Sequence, residues 1–269
     1  MKISFKRTLL HRVSRVLSAL IIVLFVFGLL YYSYRIFIRD SFVVNTSSME
    51  PTIMPDSRIY VNKLIFGPRI YKNFKFEEGG QLKSFRIWGR RNIERDDIIV
   101  FNYPFDYLGT RIQFKINYVY TKRVIGLPGD TLSITNGYYR IAGVDQEFGN
   151  IEYQKILSQS QDKVSKRELQ LFPNHPDYNW IISDFGPYYI PSKGDTIELT
   201  QENRIFYKIV IEYETGEKID NISSQTYTFK ENYYFVAGDN IFSSKDSRYF
   251  GVIPEDYIIG VVSRIKHRN

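Results

Sequence analysis

Apolar positions follow two regimes along this chain. Residues 16–34 (VLSALIIVLFVFGLLYYSY) form one charge-free, largely apolar run, about as long as a helix needs to cross a bilayer. Beyond it, apolar residues come in short runs: 57–61, 97–101, 118–125, 204–213, 233–236 and 257–265. Short runs rich in Val, Ile, Tyr and Phe between turn signals predict strands. The turn signals are Gly79-Gly80, Leu127-Pro128-Gly129-Asp130, Asn136-Gly137 and Thr215-Gly216. Residues 154–171 (QKILSQSQDKVSKRELQL) instead predict a polar helix lying on the surface.

The expected fold is therefore mostly β, preceded by one N-terminal transmembrane helix. The expected organisation is a short N-terminus (1–15), an anchor with its juxtamembrane end (16–38), a core β-domain from 39–132 plus 232–269, and an inserted β-rich lobe over 133–231. Charge orients the anchor. Lys2, Lys6, Arg7, Arg12 and Arg15 precede it, whereas Arg35 and Arg39 follow it with Asp40 beside them. The positive-inside rule puts the N-terminus in the cytoplasm and the β-domain on the outer, periplasmic or extracellular, face of the inner membrane. Tyr31, Tyr32 and Tyr34 stand where a cleavable leader would carry small residues, which favours an uncleaved anchor.

Composition narrows the chemistry. The net charge of +7 suits a surface near anionic headgroups, so the lipid bilayer is an expected partner. No zinc finger, recognition helix or RNA-binding signature accompanies that charge, so no nucleic acid is expected. The chain has no cysteine, which rules out disulfides, thiolate metal sites and cysteine nucleophiles. No ligand cluster suggests a metal, and no cofactor is expected.

Three groups of residues carry candidate chemistry. The first is Asn45-Thr46-Ser47-Ser48-Met49-Glu50-Pro51-Thr52, just beyond the anchor. Pro51 biases Glu50 away from helix and implies a turn that exposes Ser48. Read alone, this is equally a polar loop after a membrane helix. A serine hydroxyl needs a base, and the three histidines (His11, His175, His267) leave lysine as the most plausible one. The second is Lys122, which in an extended run shares a face with Tyr118, Tyr120 and Val124. Apolar surroundings lower a lysine pKa towards that of a usable base; periodicity alone fits a snorkelling edge lysine as well. The third is Gly238-Asp239-Asn240 with Ser244, Asp246, Ser247 and Arg248. There an Asp246–Arg248 pair would hold a loop and Ser244 would orient the lysine amine; read alone, the segment also fits an ordinary polar turn.

Together these segments resemble the type I signal peptidases, membrane-bound serine proteases with a Ser/Lys dyad. The resemblance rests on Ser48-Met49-Glu50-Pro51-Thr52, on the strand 97–101, on the long box Tyr120-Thr121-Lys122-Arg123-Val124-Ile125-Gly126-Leu127-Pro128-Gly129-Asp130, and on Gly238-Asp239-Asn240 with Asp246-Ser247-Arg248-Tyr249-Phe250-Gly251. Phe185-Gly186-Pro187-Tyr188-Tyr189-Ile190-Pro191 looks like part of the larger inserted lobe of some members.

The resemblance implies Ser48 as nucleophile and Lys122 as general base. It implies an oxyanion hole of the Thr46 hydroxyl and the Ser48 N–H, and supporting roles for Ser244, Asp239, Asp246 and Arg248. It also implies preprotein substrates carrying signal peptides, and is compatible with contact to the protein-export machinery. Departures are local. Where the family usually has Arg-Asp-Asn-Ser after Gly-Asp-Asn, this chain has Ile241, Phe242, Ser243 and Ser244; Ser47 replaces a common glycine and Asn45 a common proline. Two rival readings stay open: a dedicated Ser/Lys processing protease with a narrow client, and a catalytically silent membrane-anchored peptide-binding relative.

Overall fold

The computed structural model describes residues 2–73, 80–160 and 171–268. Helix α1 (Lys2–Phe37) contains the apolar run, and its segment Arg12–Phe37 is long and apolar enough to cross a membrane. None of that segment is buried by the rest of the chain; Leu24, Phe25 and Phe27 are each more than 60% exposed. Such a surface is unfavourable in water and ordinary in lipid. At the helix end Arg35 pairs with Asp40 (Nη2 to Oδ1, 2.5 Å), and Lys63 Nζ donates to the Arg35 carbonyl at 2.8 Å.

Beyond α1 the chain is mostly β. It forms β1 (Arg39–Val44), β2 (Ser57–Asn62), β3 (Arg69–Tyr71), β4 (Ser84–Arg86), β5 (Ile98–Asn102), β6 (Val119–Gly126), β7 (Thr131–Thr135) and β8 (Tyr138–Ile141). After helix α2 (Ile151–Gln159) come β9 (Phe185–Tyr189), β10 (Thr196–Glu198), helix α3 (Gln201–Thr215), β11 (Thr226–Thr228) and β12 (Tyr233–Ala237). The short helix α4 (Ser247–Phe250) then leads into β13 (Ile253–Pro254) and β14 (Ile258–Lys266). Seven strands make the main sheet in the order β1-β2-β14-β5-β6-β12-β13, every neighbouring pair antiparallel.

That sheet cannot be flat. Four inter-strand steps would hold β1 and β6 about 19 Å apart at normal spacing, yet both line one cleft. Register irregularities at Val262/Arg264, Ile258/Gly260 and Phe235/Val236 lie along the intervening ladders and beside them. Irregularities of this kind bend and twist a strand. The curl brings the outer edge of β1 round to face β6.

A smaller sheet, β8-β7-β9, and the pair β10-β11 lie between β6 and β12 in sequence. Their core is continuous with the main sheet: Ile125, Phe235 and Ala237 pack in one cluster with Leu132, Tyr188, Phe206 and Tyr207.

Two expectations change in this region. Residues 204–213 belong to α3 rather than to a strand. Phe206, Tyr207, Val210 and Ile211 are its buried residues, a helical stripe; Thr200 caps its start by accepting from Asn203 N–H, and Gly216 ends it at φ 74°. The helix expected over 154–171 starts at Ile151, with Asn150 as cap, and ends at Gln159. Residues 161–170 lie outside the described residues, as does Gly79 of the expected Gly79-Gly80 turn.

Candidate active site

Ser48 follows β1 in a one-turn 3-10 helix, Ser47–Met49. It is the second residue of that turn, where a backbone N–H has no partner within the helix. Met49 and Ile53 are fully buried with Val44 and Val61, which fixes the turn to the sheet. Lys122 comes from the middle of β6, opposite Ile99 of β5. Although 74 residues separate them, Lys122 Nζ lies 2.7 Å from Ser48 Oγ. Both side chains are buried, at 4% and 7% exposure. The Lys122 amine also donates to the Thr121 carbonyl at 3.1 Å.

Burial sets the protonation of that amine. Desolvation lowers the Lys122 pKa from 10.5 to about 8. Asp246 and Asp239 act against this, while Arg248 adds to it. Thr46 Oγ1 is 3.4 Å from Ser48 Oγ, so both hydroxyls stand on the same side of the turn.

The Gly238-Asp239-Asn240 segment clasps the serine turn from behind. Asn240 N–H donates to the Ser48 carbonyl at 3.1 Å. Gly238 passes so close that a Cβ there would lie 2.4 Å from the Ser48 carbonyl oxygen and 2.2 Å from Ser244 Oγ. Asp239 takes a bidentate ion pair from Arg123 (Nε to Oδ1 2.7 Å, Nη2 to Oδ2 2.6 Å) and also accepts from the Thr52 hydroxyl. This Arg123–Asp239–Thr52 link ties β6, the β12 loop and the serine turn together. Sequence alone names no partner for Arg123; the local signals were the Lys122-Arg123 pair on β6 and the Gly238-Asp239 step.

Asp246 and Arg248 form a second bidentate pair, each contact 2.8 Å, with both side chains fully buried. Burial alone would raise the Asp246 pKa; the Arg248 charge and the N–H of Gly238 (2.9 Å) outweigh it, and the net shift is downward. Ser244 is buried beside Gly238. The lysine's hydrogen bonds go to Ser48 and Thr121, so the structure does not bring Ser244 into a hydrogen bond with it.

The departures in the last box touch one another. Ser47 Oγ and Ser243 Oγ are 3.1 Å apart. Ile241, 2% exposed, packs with Leu157 of α2 and with Ile182, and Phe242 and Tyr153 flank that cluster. Apolar packing against α2 thus supports a loop that charged side chains occupy in the usual family pattern.

A cleft of about 480 Å³ opens beside the pair, lined by Phe42, Val44, Thr46, Ser48, Tyr120 and Lys122 among others. Among the described residues no group of three or more His, Asp or Glu side chains forms a metal site. A hydroxyl, an amine whose lowered pKa makes its neutral form accessible, and two candidate oxyanion donors at one mouth suit nucleophilic attack on a carbonyl.

The family model described as "Signal peptidase, peptidase S26" matches residues 14–266. A signal peptidase I of Buchnera aphidicola subsp. Baizongia pistaciae is 29% identical over 239 residues, covering 85% of this chain and 69% of that protein. A signal peptidase I of Rickettsia bellii is 28% identical over 230 residues, covering 84% of this chain and 64% of that one. The crystal structure of a signal peptidase I from Enterococcus faecalis matches with 26% identity over 64% of this chain and 98% of its own. Its TM-score of 0.30 is too low to bear on the fold.

Proposed function

The chain belongs to the signal peptidase family, peptidase S26, and from that premise we propose that it cleaves signal peptides from exported preproteins with Ser48 as nucleophile and Lys122 as general base. Membership makes it a peptide-bond hydrolase. The observation that carries the dyad is the 2.7 Å contact between two buried side chains, one of them a lysine whose pKa is lowered to about 8.

In this reading the neutral Lys122 amine accepts the Ser48 proton as Oγ attacks the scissile carbonyl. The Thr46 hydroxyl and the Ser48 N–H meet the developing oxyanion. The Lys122 ammonium then protonates the leaving amine, and the signal peptide's new carboxyl end stays on Ser48 as an ester. Lys122 next takes a proton from water, which hydrolyses the ester and restores the serine. Relative to an ordinary lysine at 10.5, a pKa of about 8 raises the neutral fraction at pH 7 about 300-fold, to about one molecule in ten.

The sheet supplies a track for the substrate. Four antiparallel steps make β1 and β6 run the same way, from the anchor end towards Ser48. The outer edge of β1 has no partner strand among the described residues. On β6, pairing with β12 begins only at Arg123, which leaves 119–122 open on that side. A signal peptide whose apolar segment is still in the bilayer would approach from the anchor end. It would lie extended between these two edges, parallel to both. Small residues at the first and third positions before the cut suit so close a fit.

Placement follows from the same reading: α1 spans the inner membrane with the N-terminus inside, and the β-structure works on the outer face as a catalytic unit (39–132 with 232–269) carrying the 133–231 lobe. The test is cleavage of a model preprotein by the purified protein. Ser48→Ala and Lys122→Ala should each abolish it while folding is kept. Full activity in either variant would sink the dyad.

A further inference from the structure

The cleft beside Ser48 does not end at β1. Phe42 and Val119 also wall a second recess of about 200 Å³, on the side facing the anchor. Ile36 of α1, Asp40, Lys63, Arg69, Tyr71 and Asn102 are among its lining residues. A strand leaving the catalytic cleft towards the membrane would pass Phe42 and Val119, which the two cavities share.

Its charges are unbalanced. Arg69 is 8% exposed, and among the described residues its guanidinium donates to neutral acceptors: the Asp256 carbonyl at 2.8 Å, Tyr71 Oη at 2.7 Å and Asn102 Oδ1 at 2.6 Å. Among the described residues no carboxylate forms an ion pair with it. Buried cations are ordinarily paired. Asp40, the one carboxylate among the described lining residues, is engaged by Arg35 (Nε at 3.0 Å) and by the Ser41 N–H. Lys63 Nζ uses one donor on the Arg35 carbonyl and stands 3.6 Å from Asp40. Burial lowers the Lys63 pKa; Asp40 opposes that, and Arg69 and Arg35 add to it. An entering anion would relieve this mutual repulsion.

The register gives the position. Val119, shared by both cavities, lies three residues before Lys122 on β6. We infer that the recess is a subsite for an acidic side chain of the substrate, Asp or Glu, about four to five residues before the scissile bond, since a strand with its first position beside Lys122 covers about 10 Å to reach Val119 and then enters the recess. Its carboxylate would lie between Lys63 Nζ and the Arg69 guanidinium. This rests on the proposed function and adds a selectivity for the membrane-proximal part of the signal peptide. Continuity with the catalytic cleft favours a peptide carboxylate over a lipid phosphate.

The experiment uses the full-length protein in neutral detergent and three versions of one preprotein, with Glu, Gln or Lys at the fifth position before the cut. The expected order of kcat/KM is Glu, Gln, Lys, with about fivefold or more between the ends, a gap that shrinks with added salt. In Lys63→Met the Glu-to-Lys ratio should fall towards one, and Lys63→Arg should restore it. Equal cleavage of all three substrates by the wild type overturns the subsite while leaving the dyad standing. A preference that survives Lys63→Met also overturns it. So does a Lys63 effect seen only as altered stimulation by phosphatidylglycerol vesicles, since the recess would then hold a lipid headgroup. Failure to cut any of the three removes both readings together.

Discussion

Replacing Gly238 by alanine adds a single methyl group in the most crowded part of the site. The new Cβ would meet Ser244 Oγ at 2.2 Å, the Ser48 carbonyl oxygen at 2.4 Å and Ser244 Cβ at 2.5 Å. The Ser244 hydroxyl can rotate away, but the Ser48 carbonyl is backbone. Restoring an ordinary contact of about 3.4 Å requires that carbonyl to retreat by about 1 Å. The retreat also strains the Asn240 N–H to Ser48 O bond of 3.1 Å. It moves Oγ relative to Lys122 Nζ, which now stands 2.7 Å from it. Overpacking of this kind costs about 1–3 kcal/mol of stability, and misplacing a nucleophile by about 1 Å lowers turnover about 100-fold. Thermal unfolding in detergent and preprotein cleavage, measured on the same preparation, read the two effects. The Gly238→Ala protein should remain folded and lose most of its kcat. Turnover within twofold of wild type would refute the claim that the Gly238 backbone sets the serine's position.

Three further outcomes follow from the charges. The pH profile of kcat/KM should rise with a midpoint near 8, because the proposed base is the neutral Lys122 amine and burial lowers its pKa to about 8; a profile flat from pH 6 to 9 argues against a lysine base. Lys122→Met should abolish cleavage yet raise the melting temperature at pH 7 by on the order of a few °C. The sign follows from linkage: with a folded pKa below the unfolded one, the wild type gains stability as pH rises from about 8 to 10.5, so the variant's advantage should shrink across that window. An unchanged or lower melting temperature at pH 7 would count against a buried, costly amine. Asp246→Asn should destabilise by about 3–5 kcal/mol, since it leaves the fully buried Arg248 without its counter-charge. It should also shift any residual activity towards lower pH, because Asp246 raises the Lys122 pKa; a shift to higher pH contradicts the assigned electrostatics.

The apolar helix was legible from the length of its charge-free run, and the strands around 57–61, 97–101, 118–125, 233–236 and 257–265 from short runs of strand-prone apolar residues, with 118–125 also ending at a turn signal. Residues 204–213 misled because Ile, Phe, Tyr and Val are strand-prone residue types. Their spacing was helical, and the cap Thr200 and the stop Gly216 were both present. In the site, Ser48 and Lys122 could be nominated from their motifs, but their approach depends on the curl of a seven-stranded sheet, a tertiary property that no local pattern encodes. The Arg123–Asp239 pair was hidden for the same reason, spanning 116 residues. Ser244 shows the converse: its motif position suggested a lysine contact, whereas the fold packs it against Gly238.

The packing of Ile241 against α2 has a consequence for exchange between relatives. Grafting the family's usual Arg-Asp-Asn into positions 241–243 by itself would strand charge in a pocket shaped by Leu157 and Ile182. It would also remove the Ser243 hydroxyl that meets Ser47. A working chimera would have to carry the loop, α2 and residue 47 together. These distant segments therefore form one transplantable unit, and evolutionary drift in any one of them constrains what the other two can become.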